Sequence, residues 1–116
     1  MKKIQNYING SSCSFSNNEL SVEDPSTGEE IAKVVLSSER DFNKLIESSK
    51  ESQIEWSKVT PLKRSRILSN YKSLIEKNID ELASIVSQEH GKTFDDAKGS
   101  VIRGLEVVEF ACGIPH

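Results

Sequence analysis

Several things are scarce in this chain of 116 residues, and each scarcity narrows what it can be. It has only two cysteines, Cys13 and Cys112, which lie near opposite ends and fit no zinc or redox spacing. Without a secretion signal they do not read as a structural disulfide. Met1-Lys2-Lys3 runs into polar "QNYING" rather than an apolar signal-peptide core. No apolar run approaches the roughly 20 residues that span a bilayer. The expectation is a soluble, reduced, cytoplasmic protein. An excess of one charge sign is also missing, with 15 Lys and Arg against 18 Asp and Glu. A net charge of -3 gives no general attraction for phosphate backbones or anionic membranes, so neither nucleic acid nor membrane is an expected partner. Hydrophobic residues are lean at 35%, but they fall into periodic stripes, which excludes a disordered chain. The length allows at most one domain.

Phosphate-cradling glycine loops are missing too. "NGSSCS" is not a GxGxxG loop, and "HGKT" lacks the upstream glycine and the strand of a P-loop. Paired acids with a shared target are absent as well. Asp95-Asp96 and Glu29-Glu30 are sequence neighbours that point to different sides of a helix or strand, so no metal site is expected. Cys112 lies in an apolar helical seam and reads as a buried structural thiol. His90 suits the C-terminal end of a helix, and His116 has nothing to orient it. Lys63, Arg64 and Arg66 read first as a solvated basic face. The residues hold no complete catalytic constellation.

What is present is ordered from strands to helices. "IQNYI" (residues 4–8) meets Asn9-Gly10, a hairpin signal because both residues tolerate positive φ, and "SCSFS" is its return. "ELSVED" alternates, "DPSTGE" turns, and "IAKVVL" (residues 31–36) is a β-branched return strand. Two hairpins are expected. Ser38 with Asp41 resembles a capping box that opens a helix at Glu39, with Phe42, Leu45, Ile46 and Ser49 on one face and Trp56 closing it. Thr60-Pro61 opens a second helix. Leu68, Tyr71, Ile75, Ile79, Leu82 and Val86 form its seam, and Asn78 with Glu81 is a candidate reset midway. Gly91 reads as the left-handed stop. A last helix spans about residues 94–112, with Phe94, Ala97, Val101, Leu105, Val108 and Cys112 as its seam.

The opposite side of that last helix stands out. At about 100° per residue it carries Arg103, Val107 and Phe110, with Asp96 and Gly99 nearby. A surface helix of a complete small domain normally bears charges there. Two readings are open for Arg103. It is a surface arginine paired with Glu106 or Glu109, or it is a carboxylate receptor whose planar guanidinium binds bidentately beside apolar Val107 and Phe110.

"YING" with "DPSTGEEIAKV" resembles the N-terminal hairpins of the aldehyde dehydrogenase superfamily. Trp56 followed by "PLKRSRILSNY" and "LIEKNIDELASIVSQEHGKT" is similar to its next helices. The closing "DAKGSVIRGLEVVEFACGIPH" resembles the CoA-acylating methylmalonate- and malonate-semialdehyde dehydrogenases. The resemblance covers nearly all of this chain but less than a third of that family's length. It implies an α/β fold of which residues 1–116 are an N-terminal segment, strands over about 4–36 and helices over about 39–113. It implies an enzyme in which a cysteine attacks the semialdehyde, hydride passes to NAD, and the decarboxylated acyl group is transferred to coenzyme A as propionyl-CoA or acetyl-CoA, as in valine and inositol catabolism. Arg103 matches an arginine that recognises the substrate carboxylate, and Val107 and Phe110 fall where the substrate tunnel is lined. The catalytic cysteine, the general-base glutamate and the nucleotide-binding loops would lie downstream, so this segment is expected to be inactive alone and to bind neither NAD nor coenzyme A. It reads as a truncated or split frame whose partners are the remainder of a homo-oligomeric enzyme and a small semialdehyde. The alternatives are another branch of the superfamily, such as a betaine- or succinate-semialdehyde dehydrogenase, or a free-standing helical interaction module using the Arg103, Val107 and Phe110 face.

Overall fold

The computed structural model describes residues 2–116. The chain divides into two compact units, Met1–Lys58 and Val59–His116.

In the first unit the chain forms β1 (Lys2–Ile4), β2 (Asn6–Ile8), β3 (Ser11–Cys13), β4 (Glu19–Glu23), β5 (Glu30–Val35) and helix α1 (Glu39–Trp56). Both expected hairpins are present. β2 and β3 pair antiparallel, with Ile8 opposite Ser11, across an Asn9-Gly10 loop at φ 51 and 80. Two consecutive positive φ values are what a tight hairpin turn requires, which is why this dipeptide sits there. β4 and β5 pair antiparallel, with Leu20 opposite Val34 and an irregularity between Val22 and Glu23. Their turn closes on itself. The Gly28 N–H donates to the Asp24 carbonyl at 2.7 Å, and the Asp24 carboxylate accepts from the Ser26 amide at 2.8 Å.

One expectation changes. Residues 4–8 do not form a single strand. The chain breaks at Gln5, and β1 pairs in parallel with β5, Ile4 opposite Val34, giving a sheet ordered β1-β5-β4 beside the separate β2-β3 ribbon. β5 is therefore paired on both edges. That accounts for its nearly continuous apolar run and for the burial of Ala32 and Val35.

Ser38 caps α1. Its hydroxyl accepts from the Asp41 amide at 3.3 Å, and the Asp41 carboxylate accepts from the Ser38 amide at 2.7 Å. The same carboxylate reaches beyond the box, because its other oxygen accepts from the Phe15 amide at 2.7 Å. Asp41 is only 2% exposed and ties the loop after β3 to the start of α1. Phe15 also carries the Arg40 guanidinium 4.1 Å above its ring.

The second unit is helical: α2 (Pro61–Lys77), α3 (Ile79–His90) and α4 (Phe94–Gly113). Thr60 caps α2 through the Lys63 amide, with Pro61 in the first position. The break at Asn78 is where the sequence places it, but its chemistry differs. Asn78 makes no side-chain cap for α3; its amide donates to the Leu74 carbonyl at 2.7 Å and so closes α2 instead. Gly91 ends α3 in the left-handed conformation, φ 82, with its N–H on the Ser87 carbonyl. Thr93 then caps α4 through the Asp96 amide. α4 packs on both α2 and α3. Ala83 of α3 and Ala97 of α4 have no exposed surface, and Val101, Leu105, Val108 and Cys112 are half-buried along the expected seam. Ser65 of α2 donates to the Cys112 carbonyl at 2.7 Å, pinning the far end of α4.

Candidate functional site

The outer face of α4 is the candidate site. The seam residues above turn inward, so helical periodicity turns Arg103, Val107 and Phe110 outward. Arg103 is exposed, Val107 is 68% exposed and Phe110 is 76% exposed. An apolar pair left this open beside a guanidinium gains nothing from the helices underneath. The surface-pair reading of Arg103 is not what the structure contains. Glu109 turns instead to Lys72 of α2, 3.3 Å away, and holds that amine above its ordinary range. Glu106 makes no ion pair among the described residues.

The Arg103 guanidinium bends back along its own helix. Nη2 donates to the Ser100 hydroxyl at 3.1 Å, and Nη1 lies 3.9 Å from where a Cβ on Gly99 would stand. A second cation arrives from outside the helix, since Lys92 Nζ donates to the same Ser100 oxygen at 2.9 Å. Ser100 and Lys92 were not singled out from sequence. Ser100 could have been, because it precedes Arg103 by three and shares its face. Lys92 could not, because it precedes the helix and its direction depends on the Gly91 turn. Asp96, expected near this face, contributes its carbonyl, which accepts from Ser100 at 3.2 Å.

The other candidates stay apart. No group of three or more potential metal ligands exists among the described residues. The Cys112 thiol donates to the Val108 carbonyl at 3.3 Å within its own helix. The sheet-to-helix turn after β5 holds no glycine, and the α1 N-terminus is already occupied by Asp41. Neither feature offers the glycine-rich turn and open helix N-terminus on which a dinucleotide pyrophosphate is held.

Residues 13–116 match the aldehyde dehydrogenase family. The chain belongs to that family. Among curated relatives it is similar to malonate-semialdehyde dehydrogenase 3 of Geobacillus kaustophilus, 45% identical over 98% of this chain and 24% of the relative. It is 43% identical to the malonate-semialdehyde dehydrogenase of Bacillus cereus, over 100% of this chain and 24% of that one. Its fold is similar to that of a Sinorhizobium meliloti protein provisionally assigned as methylmalonate-semialdehyde dehydrogenase and solved with NAD. The TM-score is 0.95 and the identity 40%, over 100% of this chain and 24% of that one. The methylmalonate-semialdehyde dehydrogenase of Oceanimonas doudoroffii follows at TM-score 0.93 and 35% identity, over 99% of this chain and 24% of that one. The chain thus spans about a quarter of the length of these aldehyde dehydrogenases, and it corresponds to their N-terminal part. No helix of the described residues is long and apolar enough to cross a membrane.

Proposed function

We propose that this segment serves an NAD-dependent, CoA-acylating malonate- or methylmalonate-semialdehyde dehydrogenase, in which Arg103 receives the substrate carboxylate. The observation that carries the reading is the exposed Arg103 guanidinium, free of any carboxylate partner among the described residues and flanked by exposed Val107 and Phe110. A guanidinium holds a carboxylate through two parallel charge-assisted hydrogen bonds, and apolar neighbours strengthen them by keeping water away. Val107 and Phe110 would line the approach of the short carbon chain. Similarity to malonate- and methylmalonate-semialdehyde dehydrogenases supports an acidic semialdehyde over a neutral aldehyde.

In the whole enzyme NAD would accept the hydride and coenzyme A the acyl group. No step on either is assigned to the residues described here, whose part in this reading is to orient the substrate. Their work is to fix one end of the semialdehyde so that its carbonyl meets a nucleophile supplied elsewhere. The remaining partners of the reading are the rest of the same enzyme, a homo-oligomeric assembly and a cytoplasmic setting.

Two linked assays test it. The 116 residues alone should not reduce NAD with malonate semialdehyde and coenzyme A. Substituted for the matching quarter of the Geobacillus kaustophilus relative, they should sustain CoA-dependent turnover of malonate semialdehyde. A soluble chimera that turned over neutral aldehydes but not malonate semialdehyde would overturn the substrate class.

A further inference from the structure

The basic run at the start of α2 divides in the structure. Lys63 and Arg66 are exposed, as a solvated face requires, but Arg64 between them is half-buried. Its Nε is shut off from water and has no hydrogen-bond partner. No carboxylate lies within ion-pair distance of its guanidinium among the described residues. The helix itself does not compensate. The first turn of α2 contains no acidic residue, and the positive end of its dipole repels a cation. A guanidinium N–H removed from water without an acceptor is costly, so it marks a place where an acceptor belongs.

The surroundings say where that acceptor comes from. Ser65, the next residue, donates to the Cys112 carbonyl at 2.7 Å, which holds the last turns of α4 against the start of α2. α4 ends at Gly113, and the turn after it closes with the His116 N–H on the Gly113 carbonyl at 3.2 Å. The relatives are about four times longer and match this chain at their N-terminal part, so their polypeptide runs on from this corner. Three cations within residues 63–66, with no acid in the same turn, favour an acidic group there over a neutral one.

We propose that Arg64 anchors the polypeptide that follows α4 in the complete enzyme, and that it does so by taking a carboxylate of that segment. This rests on the chain serving as the N-terminal part of a longer aldehyde dehydrogenase, not on the role given to Arg103. Nε and a neighbouring Nη form one edge of the guanidinium, and a carboxylate meets that edge through two parallel charge-assisted bonds. The contact ties the chain leaving α4 back to α2, so that the second unit and the segment after it hold together.

The test compares Arg64→Met in two settings, the 116-residue chain and the chimera with the Geobacillus kaustophilus relative, by thermal melting followed by circular dichroism. Methionine keeps an apolar stem and removes the charge. In the chimera the variant should melt on the order of 5 °C lower, the scale of a broken buried pair. In the 116-residue chain it should melt at the parent's temperature or above, because there the buried N–H has no partner to lose. Arg66→Met removes the same charge from the same helix end and should shift neither. Arg64→Lys keeps the charge without the planar edge and should fall between the parent and Arg64→Met in the chimera. It supplies the reading where the methionine chimera is insoluble. An unshifted chimera would overturn the proposal. So would an equal fall in both settings, which would place the partner within these residues or in a second copy. A chimera that shows the expected melting shifts but does not turn over malonate semialdehyde would leave the anchor standing and sink the substrate reading alone.

Discussion

Which carboxylates lie within reach decides the meaning of Arg103. A surface arginine on a helix bearing Glu106 and Glu109 has two local partners available. Here Glu109 is drawn to Lys72 on α2, and the guanidinium lies back on Ser100. An exposed ion pair would have been worth at most about 1 kcal/mol. A substrate carboxylate bound in a dry site is worth more, because charge-assisted bonds contribute about 1.5–3 kcal/mol. Asp41 shows the opposite arrangement, a carboxylate whose partners are all internal. The backbone N–H groups of Ser38 and Phe15, with help from the Ser38 hydroxyl, outweigh burial and hold it down to about 2 from an ordinary 3.8. A depressed folded-state value stabilises the fold while the carboxylate is charged. That contribution is fully present above about pH 4 and is lost as pH falls towards 2. Acid unfolding of the first unit, followed by the fluorescence of Trp56, should therefore steepen in this window. Asp41→Asn should flatten the dependence while lowering stability at neutral pH. An unchanged acid profile in that variant would remove Asp41 from its role as the tie between Phe15 and α1.

Among the elements, α4 does most to position the site, and its inner face permits no enlargement. Ala97 is fully buried in a helix that packs on both neighbours. Ala97→Leu should destabilise the second unit by about 1–3 kcal/mol through overpacking. Thermal melting followed by circular dichroism checks this, and a melting temperature equal to that of the parent would mean the helices can part without loss. Much of this level was legible beforehand. The Asn9-Gly10 turn, the Ser38 box, Thr60-Pro61 and Gly91 are local devices whose chemistry sits within four residues, so the sequence displays them directly. The β1–β5 pairing was not legible, because a parallel pairing joins distant segments and residues 4–8 carry no glycine or proline to mark the break at Gln5. Asn78 marked the right place for the wrong reason. An asparagine side chain can serve the helix behind it as well as the one ahead, and only geometry separates the two. On the site face, periodicity placed Arg103, Val107 and Phe110 correctly on one exposed side. Lys92 was hidden because its approach depends on a turn outside the helix.

At the scale of the whole chain, the large exposed residues are the informative feature. Phe42 and Leu45 of α1 line one apolar groove with Tyr7 and Ile8. Tyr71, Leu74, Leu82 and Ile85 line another across α2 and α3. Contiguous exposed apolar surface of this kind marks a face meant to be covered, and relatives about four times longer have the material to cover it. The purified chain should therefore enhance the fluorescence of anilinonaphthalene sulfonate and should associate with itself as concentration rises. A strictly monomeric chain that leaves the dye dark would argue that these faces need no cover. Family membership fits this picture, since the fold is reproduced at a TM-score of 0.95 within a much larger enzyme. The family was legible in "YING", "DPSTGEEIAKV" and the helices that end in "HGKT", and the semialdehyde branch in "DAKGSVIRGLEVVEFACGIPH"; the reaction centre was not, because no catalytic constellation occurs in these residues.

The central claim is that Arg103 recognises the negative end of the substrate. It is tested most directly in the active chimera by comparing Arg103→Leu with the parent on malonate semialdehyde and on uncharged propionaldehyde. The account predicts a loss of roughly ten- to hundredfold in kcat/KM for the charged substrate, carried mainly by KM, with little change for the neutral one. Equal losses on both substrates, or no loss on either, would contradict it.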